Sequence, residues 1–252
     1  MGRECDVYLE PIEHVYIHKK SGDKFKSVTT VISLLEPEFP AEEVALRISQ
    51  QPEERRKPQY HGMNQEQILA EWKRINDEAN EYGTEVHEIL ERYLLANKVY
   101  FPKNDYERDI ILKFQKIDPM TTGDIYPETI LFSEKHKLAG TADIIEDCGD
   151  YFNVWDFKTN KKIDYISGYH HWLHKPVSHL SDCQYNVYAL QMSIYAYMFQ
   201  METGKKVGRM ALFYLNPEND FEFEIIPVPY MGFEAKRVLD FWVTYNTKKH
   251  EL

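Results

Sequence analysis

Cysteine is scarce in this sequence. The 252 residues include three cysteines, Cys5, Cys148 and Cys183, which lie far apart and form no CxxC pair. An odd number of cysteines at such spacing argues against a disulfide framework, a zinc site and an iron–sulfur cluster. We therefore expect ordinary reduced thiols.

Long apolar segments are also missing. No stretch approaches the roughly 18 to 20 uncharged residues that a membrane-spanning helix requires. Residues 1 to 10 have neither the apolar centre of a signal peptide nor the arginine-rich pattern of a transit peptide. We expect a soluble, intracellular protein, in the cytoplasm or in a phage-infected cell, that is not secreted and does not bind a membrane.

Positive charge is in deficit. The sequence has 30 Lys and Arg against 41 Asp and Glu, a formal net charge of −11. This balance argues against a protein that coats a polyanion along its length. It does not exclude an enzyme that gathers carboxylates around divalent cations, because salt screens distant charges beyond roughly 8 to 10 Å. Such an enzyme needs only a local basic path for phosphates.

What the sequence does contain is an alternation of helix and strand patterns. Apolar residues at every third or fourth position predict a long helix over 64–97, which Gly83 would break in two, and Ser27 is the expected N-cap of a helix over 28–35. Further patterns predict a hairpin over 7–26, strands within 125–158 and near 207–215 and 221–226, and helices near 105–117, 182–203 and 231–246. This order predicts an α/β fold with a central mixed β-sheet flanked by helices.

The densest chemistry lies in a predicted hairpin whose two strands flank a Gly-containing loop, residues 147–150. With this loop, Glu146 pairs with Tyr151, and Asp143 lies opposite Val154. The simplest alternative is a surface hairpin with an exposed ion pair. That alternative fits less well, because the other face of the hairpin is apolar and an interior strand rarely carries such charges without a function.

Alternation along the second strand puts Asp156 and Lys158 on one face. Asp143 and Asp156 are then diagonal neighbours, with alpha carbons roughly 7 to 8 Å apart. Two carboxylates at that distance can converge on one divalent cation, and oxygen ligands favour Mg²⁺ or Mn²⁺ over zinc. Such an ion activates water and stabilises the leaving oxygen of a phosphodiester, while a nearby lysine can neutralise charge in the transition state.

Three separated motifs resemble those of the PD-(D/E)XK nuclease superfamily, particularly its RecB-like exonuclease branch. They are Gly83–Glu91 (G-x-x-x-H-x-x-x-E), Gly140–Asp143 with Trp155–Thr159 (G-x-x-D and D-x-K-T), and Gln191–Tyr195 (Q-x-x-x-Y). The resemblance covers roughly residues 80 to 226 and implies a restriction-endonuclease-like core. Branch members with an iron–sulfur cluster carry four cysteines, and this chain lacks such a set.

The resemblance also implies roles for individual residues. The metal ligands it indicates are His87, Asp143, Asp156 and the backbone carbonyl of Phe157. It makes Lys158 the catalytic lysine. Glu91 lies four residues after His87 on the same helix face and would orient the imidazole or support it.

Three further residues keep more than one interpretation. Gln191 and Tyr195 would hold the active-site side of the sheet or contact nucleic acid, and plain packing is the alternative for Tyr195. Glu128 matches an acidic position in many relatives, and it is either a supporting carboxylate or a solvated residue.

A loop with basic and aromatic side chains follows Lys158. Lys161, Lys162 and Lys175 can neutralise phosphates, and Trp172 can stack on a base, so these are the candidate nucleic-acid contacts. A solvated connection is the alternative.

The expected domain organisation is a nuclease core over 81–252, preceded by a hairpin and helical extension. This extension, residues 1–80, belongs to the same domain and has no counterpart in a minimal core. By analogy with relatives, we expect it to shape the path of the substrate.

These observations favour a metal-dependent DNA exonuclease that acts on single-stranded DNA or DNA ends in recombination, repair or replication. A single-strand-binding protein or a helicase is a candidate partner. No base-reading module accompanies the core. Two alternatives stay open: a structure-selective endonuclease, such as a junction resolvase, and a non-catalytic DNA-binding component of a recombination complex. The intact set of Asp143, Asp156 and Lys158 argues against the second.

Overall fold

Eight strands of the chain join in one sheet. They are β1 (Val7–Glu10), β2 (Val15–His18), β3 (Lys24–Ser27), β4 (Asp124–Ser133), β5 (Leu138–Asp147), β6 (Tyr151–Lys158), β7 (Lys206–Leu215) and β8 (Phe223–Pro227). The computed structural model describes residues 6–13, 15–120, 123–216 and 222–250, with side chains up to residue 247. Cys5 lies outside these residues, whereas Cys183 is a buried free thiol.

The strand order is β1-β2-β3-β5-β6-β7-β8. β3 and β6 pair with different parts of β5, at residues 138–139 and 144–147, and β4 pairs along the opposite edge of β5. β3 runs parallel to β5 and β6 runs parallel to β7, while the remaining pairs are antiparallel. The predicted α/β fold with a central mixed sheet is confirmed.

Six α-helices accompany the sheet in the described part of the chain. They are α1 (Val28–Ser33), α2 (Ala41–Ser49), α3 (Gln65–Leu95), α4 (Asp105–Ile117), α5 (Gln184–Thr203) and α6 (Gly232–His250). Buried residues of α5 and α6 share the main core with Phe152, Val154 and Leu212 of the sheet. None of the described helices combines the length and the apolar character needed to cross a membrane.

Local sequence signals explain several of these boundaries. The Ser27 hydroxyl accepts a hydrogen bond from the Thr30 backbone at 3.0 Å, which confirms the predicted N-cap of α1. The predicted break at Gly83 is wrong, because α3 continues through it. A glycine inside a helix costs only about 1 kcal/mol relative to alanine, and the helix buries Ile68 and Val86 on either side of it. The region predicted as one hairpin contains three strands, β1 to β3.

The chain divides into two compact units. One comprises the chain up to Pro37 and again from His87 onward, and the other is Glu38–Val86. The second unit has its own small core around Tyr60 and Ile68, in which the Trp72 indole donates a hydrogen bond to the Tyr60 hydroxyl at 2.9 Å. The strands β1 to β3 lie in the same unit as the rest of the sheet. The expected organisation, an extension over 1–80 within one domain and a core over 81–252, stays a prediction.

The β5–β6 hairpin has a different register from the predicted one. Asp147 pairs with Phe152, and the turn closes through a 2.9 Å hydrogen bond from the Cys148 N–H to the Tyr151 carbonyl. Gly149, at φ +90°, supplies the left-handed backbone that this turn requires. Every pair is therefore displaced by two residues. Because side chains alternate with a period of two, the displacement preserves which residues share a face.

Candidate active site

The predicted acids meet where β5 and β6 stop pairing. The last pair of this ladder is Ile144 with Trp155, and Asp143 and Asp156 are the next residues beyond it on the two strands. There an Asp143 side-chain oxygen accepts a hydrogen bond from the backbone N–H of Phe157 at 2.8 Å. A carboxylate thus takes the place of a backbone carbonyl at the point where the strands part.

The regular pleat also changes at this step. Ala142 and Ile145 both pack in the main core, although strict alternation would put residues three apart on opposite faces. The change falls between Ala142 and Ile145, and the flanking pairs of the β4–β5 ladder, Pro127 with Ile144 and Thr129 with Ala142, put Glu128 across from Asp143. Glu128 has φ +45°. This left-handed backbone conformation is energetically unfavourable for any residue that has a side chain. The strand pair is therefore irregular where two carboxylates meet.

His87, Glu128 and Asp143 form a candidate metal site. Each offers one ligand atom, and these atoms lie within 4.8 Å of one another, the one such group of three among the described residues. The His87 Nδ1 atom is 3.5 Å from an Asp143 oxygen. Sequence reasoning left the role of Glu128 open, because the pairing of β4 with β5 cannot be derived from the local pattern.

The donor set fits a divalent cation. Desolvation of the carboxyl raises the pKa of Glu128 to about 8, although the residue as a whole is exposed, and the neighbouring carboxylates of Asp143, Glu91 and Asp156 add to that rise. Carboxylates crowded in this way repel each other, and a cation between them removes the repulsion. Two carboxylates and an imidazole suit Mn²⁺, and the carboxylates suit Mg²⁺.

Lys158 and Asp156 form a buried ion pair beside this group. Their side chains are 15% and 5% exposed. The Lys158 ammonium also lies 3.3 Å from the Phe157 carbonyl and 4.7 Å from the centre of the Tyr188 ring. Burial alone would lower the pKa of Lys158, but the carboxylates of Asp156 and Asp143 outweigh it and hold the pKa above its usual value. Burial raises the pKa of Asp156, although Lys158 opposes that shift.

Gln191 and Tyr195 lie together on α5 and support β5. The Gln191 side-chain amide donates to the Tyr195 hydroxyl at 3.0 Å, and Tyr195 is 3% exposed. A side chain at Gly140 would place its Cβ 2.6 Å from the Tyr195 ring. The tyrosine ring therefore occupies the space above Gly140, three residues before Asp143.

This contact gives a stability prediction. We expect Gly140→Ala to lower the free energy of unfolding by roughly 1 to 3 kcal/mol, because the new methyl group overpacks a rigid, buried ring. Urea denaturation followed by circular dichroism measures the change. Gly168→Ala is the matched control, since no atom lies within 4 Å of a Cβ at Gly168. An equal effect of both substitutions would contradict the proposed contact.

The candidate nucleic-acid residues are distributed over the connection between β6 and α5. Lys162 pairs with Asp164 at 2.8 Å and borders a cavity. Trp172 is 57% exposed and bridges to Ser181. Lys161 and Lys175 are part of the same connecting segment. None of the contacts described for these four side chains involves Asp143 or Asp156.

Sequence reasoning missed Tyr188, whose ring packs against the Lys158 ammonium. The signal was present in the helical period. Tyr188 precedes Gln191 by three residues on α5, and residues three apart share a helix face. A second omission, Glu36, lies just after α1 and has no local signal at all, because its neighbours come from the β6–α5 connection.

Comparison with known proteins identifies a family that matches most of the chain. A family model described as the PD-(D/E)XK nuclease superfamily matches residues 41–238. One subunit of the ATP-dependent helicase/nuclease of Carboxydothermus hydrogenoformans is 30% identical over 113 residues, which is 45% of this chain and 8% of that protein. The crystal structure of a "Putative exonuclease" from Eubacterium rectale aligns with a TM-score of 0.42 and 12% identity, covering 66% of this chain and 65% of that one.

The family match extends further toward the N-terminus than the three motifs do. It includes the candidate ligands His87, Glu128 and Asp143 as well as the Asp156–Lys158 pair. The chain matches only a small part, 8%, of the length of the helicase/nuclease protein. Both the motifs and the match over most of the sequence lead to one conclusion: the chain belongs to the PD-(D/E)XK nuclease superfamily.

Proposed function

We propose that this nuclease is a Mg²⁺- or Mn²⁺-dependent DNA exonuclease that acts on single-stranded DNA or DNA ends. The observation that carries the proposal is the buried Asp156–Lys158 pair next to the His87, Glu128 and Asp143 group. A lysine held beside a cluster of carboxylates combines a cation site with a fixed positive charge. Both stabilise the negative charge that develops during phosphodiester hydrolysis.

His87, Glu128 and Asp143 would hold the cation, and Asp156 with the Phe157 carbonyl completes the ligand set that the family resemblance implies. A bound divalent cation supplies Lewis-acid stabilisation of phosphate charge and lowers the pKa of water. Glu91 stands one helical turn after His87, and its charge reaches Glu128. We assign Glu91 a supporting role in that carboxylate cluster.

Lys158 would stabilise the negative charge that develops on the phosphate. Its ammonium is held on three sides, by Asp156, the Phe157 carbonyl and the Tyr188 ring. A charged donor that is already positioned requires little reorganisation during the reaction. Asp156 keeps the ammonium protonated and oriented. Both are therefore catalytic residues in this proposal.

Gln191 and Tyr195 are positioning residues rather than catalytic ones. Tyr195 is buried against Gly140 and bonded to Gln191, so its hydroxyl is already engaged inside the protein. The pair supports the strand that carries Asp143. The contact between the Tyr195 ring and Gly140 thus fits both interpretations of Tyr195, plain packing and support of the sheet.

The substrate path would follow the side chains of Lys161, Lys162, Trp172 and Lys175. With a net charge of −11, the protein attracts a polyanion weakly along most of its surface, so binding depends on this local path. The helicase/nuclease relative supports a helicase as a partner. A single-strand-binding protein and a role in recombination, repair or replication are further parts of the proposal.

The proposal predicts a dependence on free ends. We expect linear single-stranded DNA to be degraded progressively, whereas a circle of the same sequence survives much longer, because a confined path is entered by threading an end. The measurement is gel analysis of end-labelled linear and circular strands with Mg²⁺, Mn²⁺ or EDTA.

Duplex DNA with blunt ends and a four-way junction serve as comparison substrates. Equal loss of circles and linear strands would contradict the exonuclease proposal in favour of an endonuclease. Binding without cutting of any of these substrates would identify a non-catalytic DNA-binding protein.

A further inference from the structure

A cavity of about 750 Å³ lies beside the catalytic lysine. Its wall includes Tyr188, whose ring packs against the Lys158 ammonium and whose hydroxyl donates to Asn160 at 2.9 Å. The cavity and the active site therefore share one side chain. Its volume falls within the range of pockets that hold small organic groups, roughly 300 to 1,000 Å³.

The charges that line this cavity are mainly negative. Lys162 pairs with Asp164 at 2.8 Å, which leaves the carboxylates of Glu36 and Asp182. Burial raises the pKa of Glu36, and the charge of Asp182 adds to the shift. Among the described contacts, neither carboxylate accepts a hydrogen bond from the protein. Two acceptors are thus available to a ligand.

These charges exclude two kinds of occupant. A phosphate group would be repelled by Glu36 and Asp182. A second cation site is not supported either, because the acids of this cavity do not bring three ligand atoms within 4.8 Å of one another in the described residues. The remaining part of a nucleotide that fits is the base, which is uncharged and carries hydrogen-bond donors.

The aromatic side chains of the cavity suit a base. Tyr169 lines it and is 69% exposed, although its ring centre lies 5.8 Å from that of His171. Tyr188 contributes a second ring on the side of the active site. Stacking on aromatic rings and hydrogen bonding to exposed edges are how proteins hold unpaired bases.

We infer that this cavity receives an unpaired nucleobase of the strand being cut, and that Glu36 and Asp182 select bases with an exocyclic amino group. This inference rests on the proposed function. Carboxylates accept hydrogen bonds from the amino groups of cytosine, adenine or guanine. Thymine has no amino group, and its single ring donor, the N3–H, stands between two carbonyl oxygens that repel a carboxylate. The site therefore discriminates most clearly between the two pyrimidines, which have similar size.

The test compares oligomers of dC and dT of equal length with the whole chain. Fluorescence anisotropy in EDTA measures binding without cutting, and cleavage with Mg²⁺ is measured in parallel. We expect the dC oligomer to bind roughly tenfold more tightly than the dT oligomer. In the double variant Glu36→Gln with Asp182→Asn, we expect this preference to fall to about twofold or less, because amides also donate to carbonyl oxygens.

Two further variants make the test specific. Asp150→Asn removes the same type of charge at an exposed position at the start of β6, and it should keep the preference. Tyr169→Ala changes an exposed ring and should weaken dC binding roughly tenfold through lost stacking. Because Tyr169 is exposed, this variant tests the cavity even if the double variant does not fold.

The outcomes separate the two proposals. Cleavage of both oligomers with equal binding, or a dC preference that survives in the folded double variant, would overturn the assignment of the cavity alone. Unchanged dC binding by Tyr169→Ala would do the same. If the unaltered chain cuts neither oligomer nor any other DNA, the proposed function fails instead.

Discussion

The substitution Asp156→Asn will reduce DNA cleavage by roughly 100-fold or more, a loss of several kcal/mol of transition-state stabilisation. Asparagine preserves the size of the side chain but removes its charge. The Lys158 ammonium then loses the carboxylate that holds it, and the cation site loses one of its neighbouring negative charges. Both changes weaken interactions with the phosphate in the transition state.

The same substitution should also lower the free energy of unfolding. It removes the carboxylate nearest to the Lys158 ammonium, and the lysine side chain has little exposure to water. Activity should therefore be expressed per folded molecule, with thermal unfolding followed by circular dichroism. Asp150→Asn is the matched control, since Asp150 is exposed in the turn that precedes β6. Cleavage by folded Asp156→Asn within about twofold of the unaltered chain would refute the active-site assignment.

The substitution Lys158→Ala should abolish turnover to a similar extent, roughly 100-fold or more, but leave divalent-cation binding in place. An ammonium group donates hydrogen bonds and cannot be a ligand of a cation. Removing it frees the Asp156 carboxylate, so affinity for Mn²⁺ is retained or increases. Isothermal calorimetry with Mn²⁺ measures this directly, independently of cleavage.

Glu128→Gln should weaken Mn²⁺ binding, in contrast to Lys158→Ala. Because Glu128 is one of the three groups within 4.8 Å, its loss should weaken Mn²⁺ binding by about tenfold or more. Glu88→Gln is its matched control, since Glu88 is exposed and follows His87 by one residue on α3. Loss of Mn²⁺ binding by folded Lys158→Ala, with normal binding by Glu128→Gln, would reverse the roles assigned to the two residues.

Much of the candidate site follows from short-range patterns. The period of two along a strand is enough to put Asp156 and Lys158 on one side, and their ion pair agrees with that expectation. A displacement of two residues in the hairpin register did not disturb it. The predicted residue pairs were wrong because the register depends on the turn. There a hydrogen bond from the Cys148 N–H to the Tyr151 carbonyl sets it.

Long-range pairing is what the local patterns could not supply. The β4–β5 ladder puts Glu128 opposite Asp143, although the two residues are distant along the chain. Glu36 meets Asp182 for the same reason, since α1 and the β6–α5 connection approach only in the folded chain. Such contacts depend on packing and strand order, which no local signal encodes.

Motif spacing and strand alternation are local properties of the chain, and they were enough to predict the superfamily, the mixed α/β fold and a candidate site of Asp143, Asp156 and Lys158. The folded chain adds three contacts between distant segments: Glu128 joins His87 and Asp143, Tyr188 packs on Lys158, and an acidic cavity adjoins the lysine. The physical reason is that sheet pairing and helix packing bring together residues whose separation in sequence carries no periodic signal.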